Sequence, residues 1–297
     1  MKITRTRHAL LAAIVAAAAG TLYASSSFSA GDTSIAKLSK ETHFHGIAVD
    51  PADSTRLYLA THHGLFVMGA DGKAQPISEV RDYMGFTAHP TDATILFASG
   101  HPAAGGNLGF ITSKDGGRTW TKLSNGTGGP VDFHQMDVSK ADPRVIYGVY
   151  ESLQRSADGG ATWKTVAAPP AGIISLAASS VDANTLYAAT QSGIQRSTDG
   201  GQTWKKESDQ TATMVHVAND GTIYAFMIGA GLVRATEKNL AWHVVAKDFG
   251  QAYLLHFAVD PRDSKRLYAV QFDSKTRAQS VIASRDGGER WTPVGAE

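Results

Sequence analysis

The chain has 297 residues, 42% hydrophobic and 19% charged, with 28 basic side chains against 27 acidic ones. That length and apolar share support one large core without staples. The even charge balance excludes a nucleic-acid partner, which needs a basic stripe to displace counterions from phosphates. Cysteine is absent, so there is neither a disulfide framework nor a thiolate metal site.

In chain order, the first element is a leader. Lys2, Arg5 and Arg7 precede an apolar stretch from Ala9 to Ala19, and Leu22 to Ala30 is small and serine-rich. This pattern predicts a secretory signal peptide over residues 1–30, cleaved between Ala24 and Ala30. No later stretch has the run of about 20 apolar residues that a spanning helix needs. The expected location is therefore the periplasm or the exterior of a bacterium, with no membrane span after cleavage.

Residues 31–297 are expected to form one domain, because the same pattern recurs along them. Ser113-Lys-Asp115-Gly-Gly117-Arg-Thr-Trp120 is followed by equivalent stretches ending in Trp163, Trp204 and Trp291, with their aspartates at Asp158, Asp199 and Asp286. Two decayed copies end in Trp242 and surround Asp71. The aspartate can accept backbone N–H groups of its own turn, the glycines supply positive φ, and the indole offers a large surface to bury. These residues are read as structural.

Repeats about 40 residues apart, each with four short β-rich segments, predict propeller blades. Innermost strands are expected near Phe44, Met84, Phe133, Ile173, Met214 and Leu254, which makes six blades. Ser34 to Ser39 looks like an outer strand and is expected to close the ring on the last blade.

The pattern S-x-D-G-G-x-[TR]-W resembles the Asp box, or BNR repeat, of sialidases, sortilin-like domains and bacterial glycosyl hydrolase-like proteins. The resemblance implies an all-β, six-bladed β-propeller with Asp-box repeats. It also implies a possible hydrolase or protein-binding activity, since fold by itself does not settle function.

Histidine carries the functional signal. Of the 11 histidines, His8 lies in the leader, His89 ends an innermost strand and His243 lies on an outer strand. The others map to one face of a propeller. His43, His45, His134, His216 and His256 open innermost strands, with His216 and His256 one register off the rest. His62, His63 and His101 sit in hairpins between second and third strands. Met84 and Met136 stand at the same openings. Imidazole with thioether suits copper, and thioether favours Cu(I). The expected metal site is His43, His45, His62, His63, Met84, His101, His134 and Met136, taking a metal ion or small ligand at the channel mouth.

Two other readings stand beside this one. A glycosidase needs two carboxyls flanking a sugar, and Asp82, Asp132 and Glu151 are the candidates. A scaffold for a protein partner needs no such chemistry. A sialidase needs an arginine cluster for its substrate carboxylate, and only Arg81 falls at the presumed site. The pure protein is therefore expected to leave a fluorogenic sialoside intact; turnover abolished by Arg81→Ala would contradict this.

Overall fold

The computed structural model describes residues 33–295. The expected leader lies outside the described residues. The described residues form six antiparallel sheets, each with its first four strands in chain order from axis to rim. The innermost strands are Phe44–Val49, Arg81–Ala88, Gln135–Val138, Ile173–Ala178, Ala212–Val217 and Ala252–Asp260. Each packs against the next, and Ala252–Asp260 packs back onto Phe44–Val49, so the ring is closed. The chain is a six-bladed β-propeller.

Each intact Asp box folds as a hydrogen-bonded turn between the third and fourth strands of its blade. In blade 2, Asp115 Oδ1 accepts from the N–H groups of Arg118 and Thr119 at 3.0 and 2.9 Å. Asp115 Oδ2 accepts from the Thr119 hydroxyl at 2.6 Å, and Ser113 Oγ accepts from Gly117 N at 2.8 Å. The indole Nε1–H of Trp120 donates to Gly117 O at 2.9 Å, so the ring is buried without an orphaned donor. Trp163, Trp204 and Trp291 make the same bond to Gly160, Gly201 and Gly288. The second box glycine is needed twice over. Gly160 has φ 92, and a Cβ there would run into the Phe110 ring of the preceding blade.

The hydrophobic core is a set of six seams between blades. Tyr58 and Leu65 of blade 1 meet Tyr83, Leu96 and Trp120 of blade 2. Phe97 and Phe110 of blade 2 meet Phe133 and Trp163 of blade 3, with the Trp163 ring 4.8 Å from Phe133 and 5.2 Å from Phe110. Later seams repeat the scheme, each with the tryptophan of one blade against the blade before.

The seam between blades 6 and 1 has no tryptophan, because the copy around Asp71 is eroded. A helix over Ile35–Glu41 fills it instead, burying Ile35 and Leu38 against Val270 and Val281 of blade 6 and Phe44 and Leu57 of blade 1. This corrects the expectation for Ser34 to Ser39. Ser34 caps the helix, accepting from Lys37 N at 3.2 Å, and the spacing of Ile35 and Leu38 gives one apolar face. Thr33–Ser34 does add a strand, but to the rim strand Lys73–Pro76 of blade 1 and not to the last blade. Trp242 also departs from its expected part. It lies within the outer strand Asn239–Ala246, and its buried Nε1 has no acceptor because the decayed box lacks the glycine carbonyl.

Trp163 is only 8% exposed. Trp163→Ala should cost about 3–5 kcal/mol, as for other buried large aromatics. A thermal midpoint unchanged from the parent protein would contradict this account of the seams.

Candidate metal centre

The hairpins at the mouth owe their shape to the backbone, not to their histidines. In Thr61-His62-His63-Gly64 the Thr61 hydroxyl donates to Gly64 O at 2.9 Å and accepts from His63 N at 2.9 Å. Blade 4 builds the same turn with Thr190 and Gly193, where Gln191 and Ser192 stand in place of the two histidines. Imidazoles at this position are therefore not a requirement of the fold.

Strand register aligns the openings. Val49, Ala88 and Val138 pair with Leu57, Leu96 and Ile146, and Phe44 and Tyr83 pair with Thr61 and Gly100. Counting along the strands, His45, Met84 and His134 share one level, and His43, Asp82 and Asp132 share the level two residues earlier. His62 and His101, next after Thr61 and Gly100, are likewise equivalent. By the same count His256 is one residue and His216 three residues deeper than His45, so the expectation of a single-residue offset holds for His256 alone.

Two groups of side chains converge. In the first, His45 Nε2 and His62 Nε2 face each other at 3.0 Å, and His62 Nδ1 lies 2.9 Å from Asp82 Oδ2. The carboxylate accepts a hydrogen bond from the Nδ1–H of His62, which places the ring's lone pair on Nε2. The His43 ring stands 5.7 Å from the His62 ring. Burial, followed by the neighbouring His62, pushes the imidazoles of both His43 and His45 below their usual range, His45 far below it. His63, beside them in the hairpin, is lowered by burial and by His62 as well.

In the second group, Asp132 Oδ2 lies 2.7 Å from His134 Nε2 and 2.9 Å from His101 Nε2. His101 Nδ1–H donates to Gly106 O at 2.9 Å, so both ring nitrogens of His101 face acceptors. The hydrogen bond to Asp132 accordingly raises His101 to about 9, and it raises His134 too. Burial would push the Asp132 carboxyl up, yet the hydrogen bonds from His101 and His134 hold it far below the usual carboxylate range. Asp82 and Asp132 are 5% and 4% exposed, and the Oδ1 atom of each is buried without a hydrogen-bond partner. A buried acceptor left unpaired is costly and points to a missing cation or donor.

The structure thus brings His43, His45, His62, His63, Asp82, His101, Asp132 and His134 to one mouth across blades 1 to 3. It sets Met136 apart, inside the apolar seam with Phe97 and Phe133. Met84 is buried in its innermost strand but belongs to none of the six apolar clusters. Glu151 is exposed at a hairpin tip with φ 57. Below the mouth the channel encloses about 430 Å³ and reaches His216 and His256. His89 caps a turn on the opposite face, accepting from Asp92 N at 3.0 Å, and His243 is exposed on an outer strand. Arg81 pairs with Glu79 at 2.6 Å. The histidine–aspartate pairing across blades escaped the sequence reading, which set the carboxylates apart as sugar-binding groups.

Seams, boxes and ring define a six-bladed β-propeller built on Asp-box repeats, with a histidine–aspartate cluster at one mouth. The family model for the BNR/Asp-box repeat matches residues 195–206. No curated protein sequence matches the chain. Among solved structures, a GH74 enzyme of Niastella koreensis aligns with TM-score 0.61 at 18% identity, over 85% of this chain and 45% of that one. The GH74 xyloglucanase of Xanthomonas campestris gives 0.56 at 21% identity, again over 85% and 45%. YCF48 of Cyanidioschyzon merolae gives 0.50 at 17% identity, over 86% and 87%. The chain spans less than half the length of the two enzymes, and at these identities the likeness is one of fold.

The two groups should differ in proton content. A histidine raised above its unfolded value of about 6.5 stabilises the fold fully below that pH and loses its contribution as pH rises through its folded value. The His101–Asp132 pair should therefore stabilise up to about pH 6.5 and lose its effect through about 9. NMR titration of the His101 ring should show a midpoint near 9. A midpoint at or below the ordinary histidine value would contradict the geometry.

Proposed function

We propose that the protein is an exported propeller, periplasmic or secreted, that binds a copper ion at the channel mouth through His45 and His62, with His43 beside them. The observation that carries this reading is the pair of Nε2 atoms facing each other at 3.0 Å, with Asp82 behind His62. Two imidazole nitrogens at that separation fit around one ion about 2.0–2.1 Å from each, subtending roughly a right angle. That is the cis angle of tetragonal copper(II) and narrower than a tetrahedral site requires. A carboxylate holding the far nitrogen of a ligand histidine is the usual outer support of such a site. His45 is kept neutral by burial, so it presents Nε2 to an ion once its single N–H shifts to Nδ1. With Met136 in the core, the donors at the mouth are mainly nitrogen and oxygen, which favours copper(II) over the copper(I) that a thioether-rich set would take.

The hydrolase reading has GH74 neighbours on its side but weaker residues. A glycosidase keeps one carboxyl protonated to serve as acid. Asp132 is instead held ionised by two histidines, and Glu151 is solvated at a hairpin tip. A scaffold role calls for a broad apolar rim. The large exposed hydrophobics Val80, Leu123, Val181, Ile228 and Val244 fall in different loops and strands.

Copper(II) should bind the purified mature protein more tightly than micromolar at neutral pH. Asp82→Asn should weaken binding about 10–100-fold, the range for outer-shell carboxylates, and His45→Ala and His62→Ala at least as much. His89→Ala and His243→Ala should leave it unchanged. Absence of such binding by calorimetry or competition dialysis, or equal losses in the two controls, would refute the reading.

A further inference from the structure

We infer that the mouth holds two metal ions side by side, the one proposed above and a second on His101, Asp132 and His134. The inference rests on that metal-binding reading and adds a separate site to it.

The geometry repeats by one blade. A hairpin histidine of one blade faces an aspartate at the opening of the next: His62 Nδ1 lies 2.9 Å from Asp82 Oδ2, and His101 Nε2 lies 2.9 Å from Asp132 Oδ2. His62 and His101 are equivalent positions, as are Asp82 and Asp132, so the propeller's own rotation carries the first histidine–aspartate pair of positions onto the second. Each unit has a further imidazole from the same strand level, His45 on one flank and His134 on the other. Met84 fills that level in the blade between, so the two units have no histidine in common. The donor atoms accordingly fall into two groups that share no residue.

The second unit has the marks of a ligand set and not only of an ion pair. His101, Asp132 and His134 each offer a donor atom within 4.8 Å of the others. The Nδ1–H of His101 is tied to Gly106 O at 2.9 Å, so a metal ion that displaces the proton shared with Asp132 takes Nε2 as its ligand nitrogen, the arrangement that orients metal-bound histidines. Asp132 is buried at 4% exposure, and its Oδ1 has no partner, so the protein's own groups leave this carboxylate incompletely satisfied. Two imidazoles and a carboxylate form a nitrogen–oxygen set of the kind that divalent transition metals take. Each unit has its own carboxylate, Asp82 in the first and Asp132 in the second, which offsets part of the charge of its ion.

Counting copper(II) per chain by native mass spectrometry and equilibrium dialysis tests this on the mature protein. The parent should bind two ions. His62→Ala and His101→Ala should each bind one, and the double variant none, with circular dichroism confirming the fold; His134→Gln provides a second, milder lesion in the new site. A parent that binds one ion, lost in either single variant, would show one joint site and overturn the inference while the preceding reading stands. A parent with one ion that His101→Ala retains would overturn it equally. A parent that binds no ion would refute both.

Discussion

A four-stranded blade has two apolar faces and cannot bury either by itself, so each blade depends on its neighbours on both sides. The structure meets that constraint with six seams. In four of them a tryptophan held at its indole nitrogen by a box glycine joins the apolar cluster between its own blade and the one before. The rule survives even where the sequence decays. Blade 1 has Pro76 where an intact box would carry its tryptophan, and the helix Ile35–Glu41 supplies Ile35 and Leu38 to the gap. Blade 5 replaces its box by a tight hairpin, and Glu237 there reaches back to accept from Ser180 N and Oγ at 3.0 and 2.6 Å.

The same packing creates the cluster at the mouth. Pressing one blade on the next brings the outer end of a hairpin against the opening of the following inner strand. Whatever side chains occupy those two positions are forced together, and here they are histidine and aspartate twice over. The backbone does not demand them, as the Gln191–Ser192 turn of blade 4 demonstrates. In one group burial keeps the imidazoles of His43 and His45 below their usual range. The other charges its imidazoles through a buried carboxylate. The equivalent hairpin rings are also turned differently, His62 meeting its carboxylate through Nδ1 and His101 through Nε2.

The propeller fold does not settle function, since chemistry is grafted on the mouth loops and leaves the seams untouched. In this chain two of the three candidate carboxylates, Asp82 and Asp132, are engaged by histidines. Burial of Asp82 and Asp132 would be expensive for ionised groups without partners, so the imidazoles, or an ion held with them, are what permit those aspartates at all.

Much of this was legible before any coordinates. The Asp boxes are local devices, closed within a few residues by Ser113, Asp115 and Thr119, so their sequence determines their shape and their spacing determines the blade count. The gathering of histidines on one face also followed from strand order. Other features depended on contacts between residues distant in sequence. The helix at Ile35–Glu41 is written as an outer-strand look-alike, and only the vacant seam between blades 6 and 1 selects the helical form. Met136 alternates correctly with His134, yet the side of the strand it faces is core. Above all, the partnership of His62 with Asp82 and of His101 with Asp132 crosses a blade boundary, where sequence records which residue types are present and tertiary packing alone decides which of them touch.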